Sequence, residues 1–175
     1  GADFSLEPAA GSSLTAVASV NEFIFTDAPF ESCHASTIAE NPDGSFIAAW
    51  FAGTREGAGD VAIWGATYRD GAWSEPRLLA DADEEDVPCW NPVLFRPKDG
   101  PLCLFYKVGR EIAAWRGAVQ FSDDGGETWR DRTFLPENFI GPVKNKPVQL
   151  PDGSILAPSS TEHAGWRVHM ERYAS

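Results

Sequence analysis

The octapeptide SDDGGETW, residues 122–129, has the spacing Ser-x-Asp-x-Gly-x-Thr-Trp. Serine and aspartate side chains accept hydrogen bonds from backbone N–H groups of a turn, and glycine adopts backbone conformations that other residues avoid. The tryptophan supplies a large ring that can pack between sheets. The pattern therefore predicts a turn that closes a β-hairpin, with a structural rather than a catalytic role.

Asp-Gly pairs recur on both sides of this octapeptide. Three of them separate strand-like runs at intervals of about 55 residues: residues 43–44, 99–100 and 152–153. Asp-Gly in such a position predicts a tight hairpin turn in which both central residues have positive φ. A repeat of this length that contains only short strands is typical of β-propeller blades, each with four strands.

The sequence therefore predicts an all-β chain, a β-propeller fragment of about three four-stranded antiparallel blades. The expected segments are an N-terminal stretch at 1–29, blade 1 at 30–82, blade 2 at 83–138 and an incomplete blade 3 at 139–175. Two arrangements remain open: part of a longer propeller, or a homodimer whose two copies close a six-bladed ring. In that ring, residues 21–30 could form the outer strand of blade 3.

Composition limits the possible partners. Fourteen basic and 26 acidic residues give a formal net charge of −12, which repels nucleic acid phosphates and anionic membranes. The apolar runs are strand-sized and the first residues do not resemble a signal peptide, so the localisation stays open. Three cysteines without metal-type spacing, and an acidic run at 81–87 without the pattern of a calcium loop, predict neither a metal nor a cofactor.

The predicted blades have two chemically different ends. The Asp-Gly turns lie at one end, whereas second-to-third loops and blade connectors lie at the other, which we call the loop end. Acids, bases, amides and indoles concentrate at the loop end, in residues 31–36, 53–60, 88–92, 106–115, 141–147 and 159–166. In a propeller this end opens onto the central pit, where ligands usually bind.

These stretches carry a resemblance to a known family. The octapeptide matches the Asp-box, and the chain from about Asn21 resembles the sialidase-like (neuraminidase-like) superfamily with BNR-type repeats. The matching stretches are APFESCHAST, WFAGTREGAGDVAIW, CWNPVLFRPKDGPLCLFYKVG, GPVKNKPVQLPDGSILAPSSTEH and WRVHMER. The resemblance implies a propeller and a carbohydrate-active protein, although Asp-boxes also occur in lyases and in non-enzymes.

The sialidase pattern is present only in part. CHAS, with His34, stands where sialidases have the arginine of an Arg-Ile-Pro motif, which argues against ordinary sialic acid cleavage. Asp60 corresponds to the acid/base aspartate in the second-to-third loop of the first blade. The other sialidase arginines and the Tyr/Glu nucleophilic pair belong to later blades, which this sequence does not contain.

Four residues of the loop end are candidates for catalysis: Asp60, Glu56, His34 and Glu162. Asp60 or Glu56 would protonate the glycosidic oxygen of an acidic sugar, sialate or uronate in type. His34 could instead abstract a proton next to a carboxylate, as in a polysaccharide lyase. Each also has a structural interpretation: Asp60 could bind backbone N–H groups, and Glu56 could pair with Arg55. We expect the four candidates to face one pit.

Eight further residues are candidates for substrate binding: Arg55, Asn91, Lys107, Lys144, Lys146, His163, Trp90 and Trp166. The lysines would hold a sugar carboxylate, the indoles would stack on sugar rings, and the amide would bind a hydroxyl group. Lys144 and Lys146 alternate, so only one of them is expected to reach the pit. A non-catalytic propeller that binds glycans or proteins on this end remains the alternative function.

Overall fold

The computed structural model describes residues 5–6, 16–17, 20–162 and 164–174. Apart from a two-stranded ribbon of β1 (Ser5–Leu6) and β2 (Ala16–Val17), the strands form three antiparallel sheets that succeed one another along the chain. The helical structure of the described residues is a single 3-10 turn, Ile112–Ala114. The predicted class, an all-β propeller fragment with antiparallel blades, is confirmed.

Blade 1 is a five-stranded sheet with a meander order. Its strands are β3 (Ser32–Glu40), β4 (Phe46–Gly53), β5 (Ala62–Arg69), β6 (Ala72–Trp73) and β7 (Arg77–Ala80). The two outer strands β6 and β7 both pair with β5. Strand β4 reads as a nearly continuous apolar run because both of its faces are buried.

Blades 2 and 3 repeat this plan. Blade 2 contains β8 (Cys89–Phe95), β9 (Leu102–Val108), β10 (Arg116–Ser122) and β11 (Thr133–Phe134). Blade 3 contains β12 (Val148–Gln149), β13 (Ile155–Thr161) and β14 (Arg167–Tyr173). The first strand of each blade pairs with the second, and the second with the third, so β4, β9 and β13 all end at the loop end.

The main core lies between blades 1 and 2. Ile47, Phe51 and Ile63 of blade 1 pack with Leu94 and Leu104 of blade 2, and all of these side chains are buried. A smaller cluster on the other face of blade 2 reaches Ile155 of blade 3. Blade stacking therefore buries the apolar residues that alternate along each strand, as a propeller requires.

The N-terminal segment packs on blade 1 of its own chain. Residues 20–31 contain no strand, and their pairing as the outer strand of blade 3 in a dimeric ring stays a prediction. Phe25 packs on Trp50 with ring centroids 5.0 Å apart, and Phe30 packs on Trp64 at 5.2 Å. Small residues beside Trp50 leave a shallow apolar face on blade 1. The two aromatic rings cover that face.

The three predicted Asp-Gly turns close their hairpins, but in each of them only the glycine has positive φ, which differs from the expected primed turn. In a further Asp-Gly turn, Asp70–Gly71 between β5 and β6, both residues have positive φ. At residues 43–44 and 152–153 only the glycine has positive φ, and the aspartate accepts hydrogen bonds from the backbone N–H and hydroxyl of the serine two residues on. A side-chain bond thus replaces the second positive φ in these turns.

The octapeptide closes the hairpin at the end of β10, as predicted. Asp124 accepts hydrogen bonds from the Ser122 hydroxyl at 2.7 Å and from the Thr128 backbone N–H at 2.9 Å. Gly126 donates its N–H to the Ser122 hydroxyl at 2.7 Å. Arg77 of blade 1 donates to the Gly126 carbonyl at 2.5 Å, so the turn also fastens blade 2 to blade 1.

Asp124→Ala is expected to lower the melting temperature by about 3 °C, because three donors lose their acceptor. Hydrogen bonds from Thr128 and Ser122 hold the pKa of Asp124 well below its usual value. The ionised carboxylate therefore stabilises the fold above the unfolded-state pKa, and this contribution is lost as pH falls through the folded-state pKa. Thermal melts at neutral pH measure the effect.

Asp123→Ala is the matched control for this change. Asp123 makes an exposed ion pair with Arg130, and such pairs contribute little to stability. Because both residues lie far from the loop end, neither substitution should alter glycan affinity. Equal melting temperatures for the two variants, or lost glycan binding in a folded Asp124→Ala protein, would contradict the structural role of the turn.

Candidate functional site

Two β-bulges distort the inner strands at the loop end. The pairing of β3 with β4 shifts between His34 and Thr37, and the pairing of β8 with β9 shifts between Trp90 and Val93. Within the bulges, Ala35 has φ of 58° and Asn91 has φ of 42°. Bulges re-aim side chains and are common next to binding sites. Blades 1 and 2 thus carry the same distortion at the same level.

His34 and Glu56 form a pair on blade 1. Nε2 of His34 lies 3.1 Å from Oε1 of Glu56, and both side chains are about half exposed. The His34 ring packs edge-on against Phe51, with centroids 4.3 Å apart. Glu56 therefore contacts the imidazole rather than Arg55, which is exposed in the same loop. The pair can exchange a proton with a ligand, because solvent reaches both groups.

Asp60 is held within its own loop. Its carboxylate accepts hydrogen bonds from the backbone N–H of Thr54 at 2.9 Å and from the Thr54 hydroxyl. The hydroxyl bond lowers the pKa of Asp60 below its usual value, so this carboxylate is ionised at neutral pH. It lines a cavity of 160 Å³ together with Phe30 and Trp64, and Glu162 is not among the residues of that cavity.

The indoles at the loop end have different environments. Trp90 donates its Nε1–H to the carbonyl of Gly109 at 2.7 Å, and its ring packs against Phe51 and Trp115. Trp90 therefore holds the loops of blades 1 and 2 together. Trp166, by contrast, is 87% exposed, and it offers its ring to solvent.

The three candidate lysines are also separated. Lys107 is completely buried and donates a hydrogen bond to the Pro142 carbonyl, and burial lowers its pKa to about 7. Lys146 donates to the carbonyls of Ile38 and Leu94, which ties the connector of blade 3 to the inner strands of blades 1 and 2, and burial lowers its pKa. Lys144 is exposed to the solvent.

A cavity of 520 Å³ lies where blade 2 meets blade 3. We call it the interblade cavity. Polar residues from both blades line it: Asn91, Lys144, Asn145, Ser159, Ser160, Glu162 and His169. It therefore brings together three predicted residues, Asn91, Lys144 and Glu162, in a space large enough for a sugar. His163, which the sequence also suggested, lies outside the described residues.

Within residues 20–162 and 164–174, no three or more His, Cys, Asp or Glu side chains are grouped closely enough to hold a metal ion. Among the described residues, no helix is sufficiently long and apolar to cross a bilayer. Burial raises the pKa of the Cys89 thiol to about 12 and that of Cys103 to about 11, so both are protonated core residues.

Comparison with known proteins agrees with this architecture. Residues 44–175 match the family described as the BNR repeat-like domain. The chain belongs to the BNR repeat-like family. The match confirms the resemblance to BNR-type, sialidase-like proteins. No curated protein matches the BNR repeat-like chain.

A solved structure has a similar fold. It is described as a protein of unknown function from Dyadobacter fermentans DSM 18053, and it superposes on the BNR repeat-like chain with a TM-score of 0.64 and 16% sequence identity. The match covers 85% of this chain and 52% of that one, so the BNR repeat-like chain spans about half the length of its structural relative. At this identity the likeness shows the fold alone.

Three residues at or behind the interblade cavity were not predicted from the sequence. Ser159 and His169 line the interblade cavity, and Glu171 is buried behind His169. The sequence does contain a pattern that predicts the proximity of His169 and Glu171, because residues two apart in a strand share one face. His169 and Glu171 in WRVHMER stand at this spacing. The pairing of Ser159 with His169 depends on the register of β13 and β14, which the sequence does not define.

Proposed function

We propose that this chain binds an acidic sugar, of the sialate or uronate type, in the interblade cavity, and that the protein hydrolyses its glycosidic bond. The observation that carries the proposal is the grouping of Asn91, Lys144 and Glu162 around one cavity of 520 Å³ at the loop end. A cation, an amide and a carboxylate are the groups needed for a sugar carboxylate, a sugar hydroxyl and proton transfer.

Lys144 is the residue proposed to hold the sugar carboxylate. Lys107 is buried against Pro142, and Lys146 is engaged with two strand carbonyls. Lys144 is exposed and lines the cavity. In a protein with a net charge of −12, one cation in a cavity provides local attraction for an anionic ligand that the rest of the surface repels.

Glu162 is proposed as the acid that protonates the glycosidic oxygen. Asp60 was the first candidate from the sialidase pattern, but its low pKa and its bonds to Thr54 favour a permanently ionised carboxylate. A general acid must also lie beside the ligand, within reach of the leaving oxygen. Glu162 lines the same cavity as Lys144, and this proximity supports the assignment.

Lys144→Met is expected to weaken binding of an acidic sugar roughly tenfold, because the charge-assisted hydrogen bond is lost. The probes are the methyl glycosides of galacturonic acid and N-acetylneuraminic acid, and calorimetric titration measures their affinity. Lys98→Met is the control: Lys98 is an exposed lysine at the opposite end of the sheets, so its loss changes the net charge equally. Equal affinities for the two variants would contradict the proposed site.

A second candidate function rests on the His34–Glu56 pair. A half-exposed imidazole that contacts a carboxylate could abstract the proton next to a uronate carboxyl group, as a lyase does. Elimination leaves an unsaturated uronate that absorbs ultraviolet light, whereas hydrolysis leaves a reducing end without that absorbance. Incubation with oligogalacturonate distinguishes the two reactions, and binding without any product would identify a non-catalytic glycan receptor.

A further inference from the structure

His169 is a residue of the interblade cavity for which the sequence suggested no role. It lies on β14, its side chain is 37% exposed, and it lines the cavity together with Lys144 and Glu162. Nε2 of His169 lies 3.2 Å from Oε1 of Glu171, whose side chain is only 3% exposed. An accessible imidazole is thus backed by a buried carboxylate.

Glu171 is fixed by three other donors. Its Oε1 accepts the backbone N–H of Ile140 at 2.8 Å, its Oε2 accepts that of Gly141 at 2.9 Å, and the Tyr173 hydroxyl donates to Oε2 at 2.5 Å. Backbone N–H groups only donate, so both carboxylate oxygens act as acceptors. The carboxylate cannot rotate without breaking these bonds, and its orientation is therefore fixed.

This arrangement selects one tautomer of His169. A carboxylate that already accepts from several donors requires the Nε2 atom of the neutral imidazole to carry the hydrogen. The other ring nitrogen, Nδ1, then has a free lone pair. A buried carboxylate that fixes the tautomer of a histidine, and stabilises its protonated form, is the arrangement that general bases use.

Ser159 gives an independent indication that the cavity receives a polar ligand. It is the direct cross-strand partner of His169, so the two side chains share one face of blade 3. Ser159 is 5% exposed, and its buried hydroxyl has no hydrogen-bond partner in the part of the chain that the structure describes. A buried hydroxyl without a partner is unfavourable, and rotation about χ1 towards the cavity that Ser159 lines would let this hydroxyl bond a polar ligand atom.

We propose that His169 is the catalytic base of the interblade cavity and that Glu171 is its positioning residue. The inference rests on the proposed hydrolysis of an acidic sugar. Nδ1 accepts a proton from water as the water oxygen bonds to the anomeric carbon. The glycosidic C–O bond breaks, and the leaving oxygen takes a proton from the Glu162 carboxyl group. Solvent then returns one proton to Glu162 and removes one from His169.

The first test needs no ligand. In protein with ¹⁵N-labelled histidine, two-bond ¹H–¹⁵N spectra identify which ring nitrogen carries the hydrogen, and the spectrum of His169→Gln assigns the signals. The expected result at mildly alkaline pH is hydrogen on Nε2 and a bare Nδ1. In Glu171→Gln the preference should be lost. Hydrogen on Nδ1 in the wild-type protein would overturn the proposal, whatever the sugar proves to be.

The second test separates binding from chemistry with the two methyl glycosides. His169→Gln should keep their affinity within about threefold, and it should lower turnover by at least about 100-fold, the usual contribution of a general base. The base assignment would be overturned if the turnover of His169→Gln stays within a few fold of wild type. It would also be overturned if the wild-type protein binds the glycosides but does not hydrolyse them. If neither glycoside binds, the proposed function fails, while the tautomer result still decides how Glu171 acts on His169.

Discussion

Gly126→Ala is expected to lower the free energy of unfolding by about 3 kcal/mol. Gly126 has φ of 97°, a backbone conformation that alanine adopts only with strain. A Cβ at this position would also collide with Cδ1 of Ile47, which is completely buried in the core between blades 1 and 2. The backbone strain and the steric collision both contribute to this loss of stability. Urea unfolding measures the change.

Gly44→Ala separates the two causes. Gly44 has φ of 82°, but nothing lies within 4 Å of the position that a Cβ would take. Its substitution should therefore cost only the backbone strain, about 1 kcal/mol. In an Ile47→Val background, which lacks Cδ1, Gly126→Ala should cost about the same as Gly44→Ala. An unchanged cost in that background would show that the contact with Ile47 is not responsible.

Stability should rise with pH between about pH 7 and pH 8.5 because of Lys107. Burial lowers the pKa of Lys107 from its ordinary 10.5 to about 7 in the folded protein. Within this window the unfolded chain is protonated at Lys107, whereas the folded chain has largely released the proton. Unfolding therefore takes up a proton, and the free energy of unfolding increases by up to about 1.4 kcal/mol per pH unit.

The window ends where the cysteine thiols of the unfolded chain begin to ionise. Above about pH 9, the buried thiols of Cys89 and Cys103 stay protonated in the folded state and ionise in the unfolded state, which reverses the slope. Urea unfolding of Lys107→Met at several pH values isolates the lysine, because every other group is common to both proteins. The gain with pH should disappear in Lys107→Met and persist in Lys98→Met. Parallel curves for wild type and Lys107→Met would refute the burial of a neutral amine.

The fold could be predicted because its signals are local. Alternating apolar residues and Asp-Gly turns determine where β4, β9 and β13 begin and end, and the structure has these strands where the pattern predicts them. The packing of the N-terminal segment on blade 1 could not be predicted. Residues 20–31 alternate like a strand, yet Phe25 and Phe30 are partly buried against tryptophans that lie on other elements.

The candidate site could be predicted as a region but not in its chemistry. The loop end follows from strand order alone, so Asn91, Lys144 and Glu162 could be grouped in advance. Burial and hydrogen bonding of single residues depend on how blades pack: Lys107 and Lys144 are both lysines of the loop end, yet one is inside the protein and the other is in solvent. Register between β13 and β14 likewise decides that Ser159 faces His169.

The central claim is that Lys144 recognises the carboxylate of an acidic sugar. Methyl galacturonide and methyl galactoside differ only at the carboxyl group, as do methyl N-acetylneuraminide and its carboxyl-reduced form. Calorimetric titration of each pair against wild type and Lys144→Met forms a double-mutant cycle. The account predicts that, for one of the two pairs, wild type binds the glycoside with the carboxylate roughly tenfold more tightly than its uncharged counterpart. Lys144→Met should bind both members of that pair equally. A preference that survives unchanged in Lys144→Met, or no preference in wild type, would contradict it.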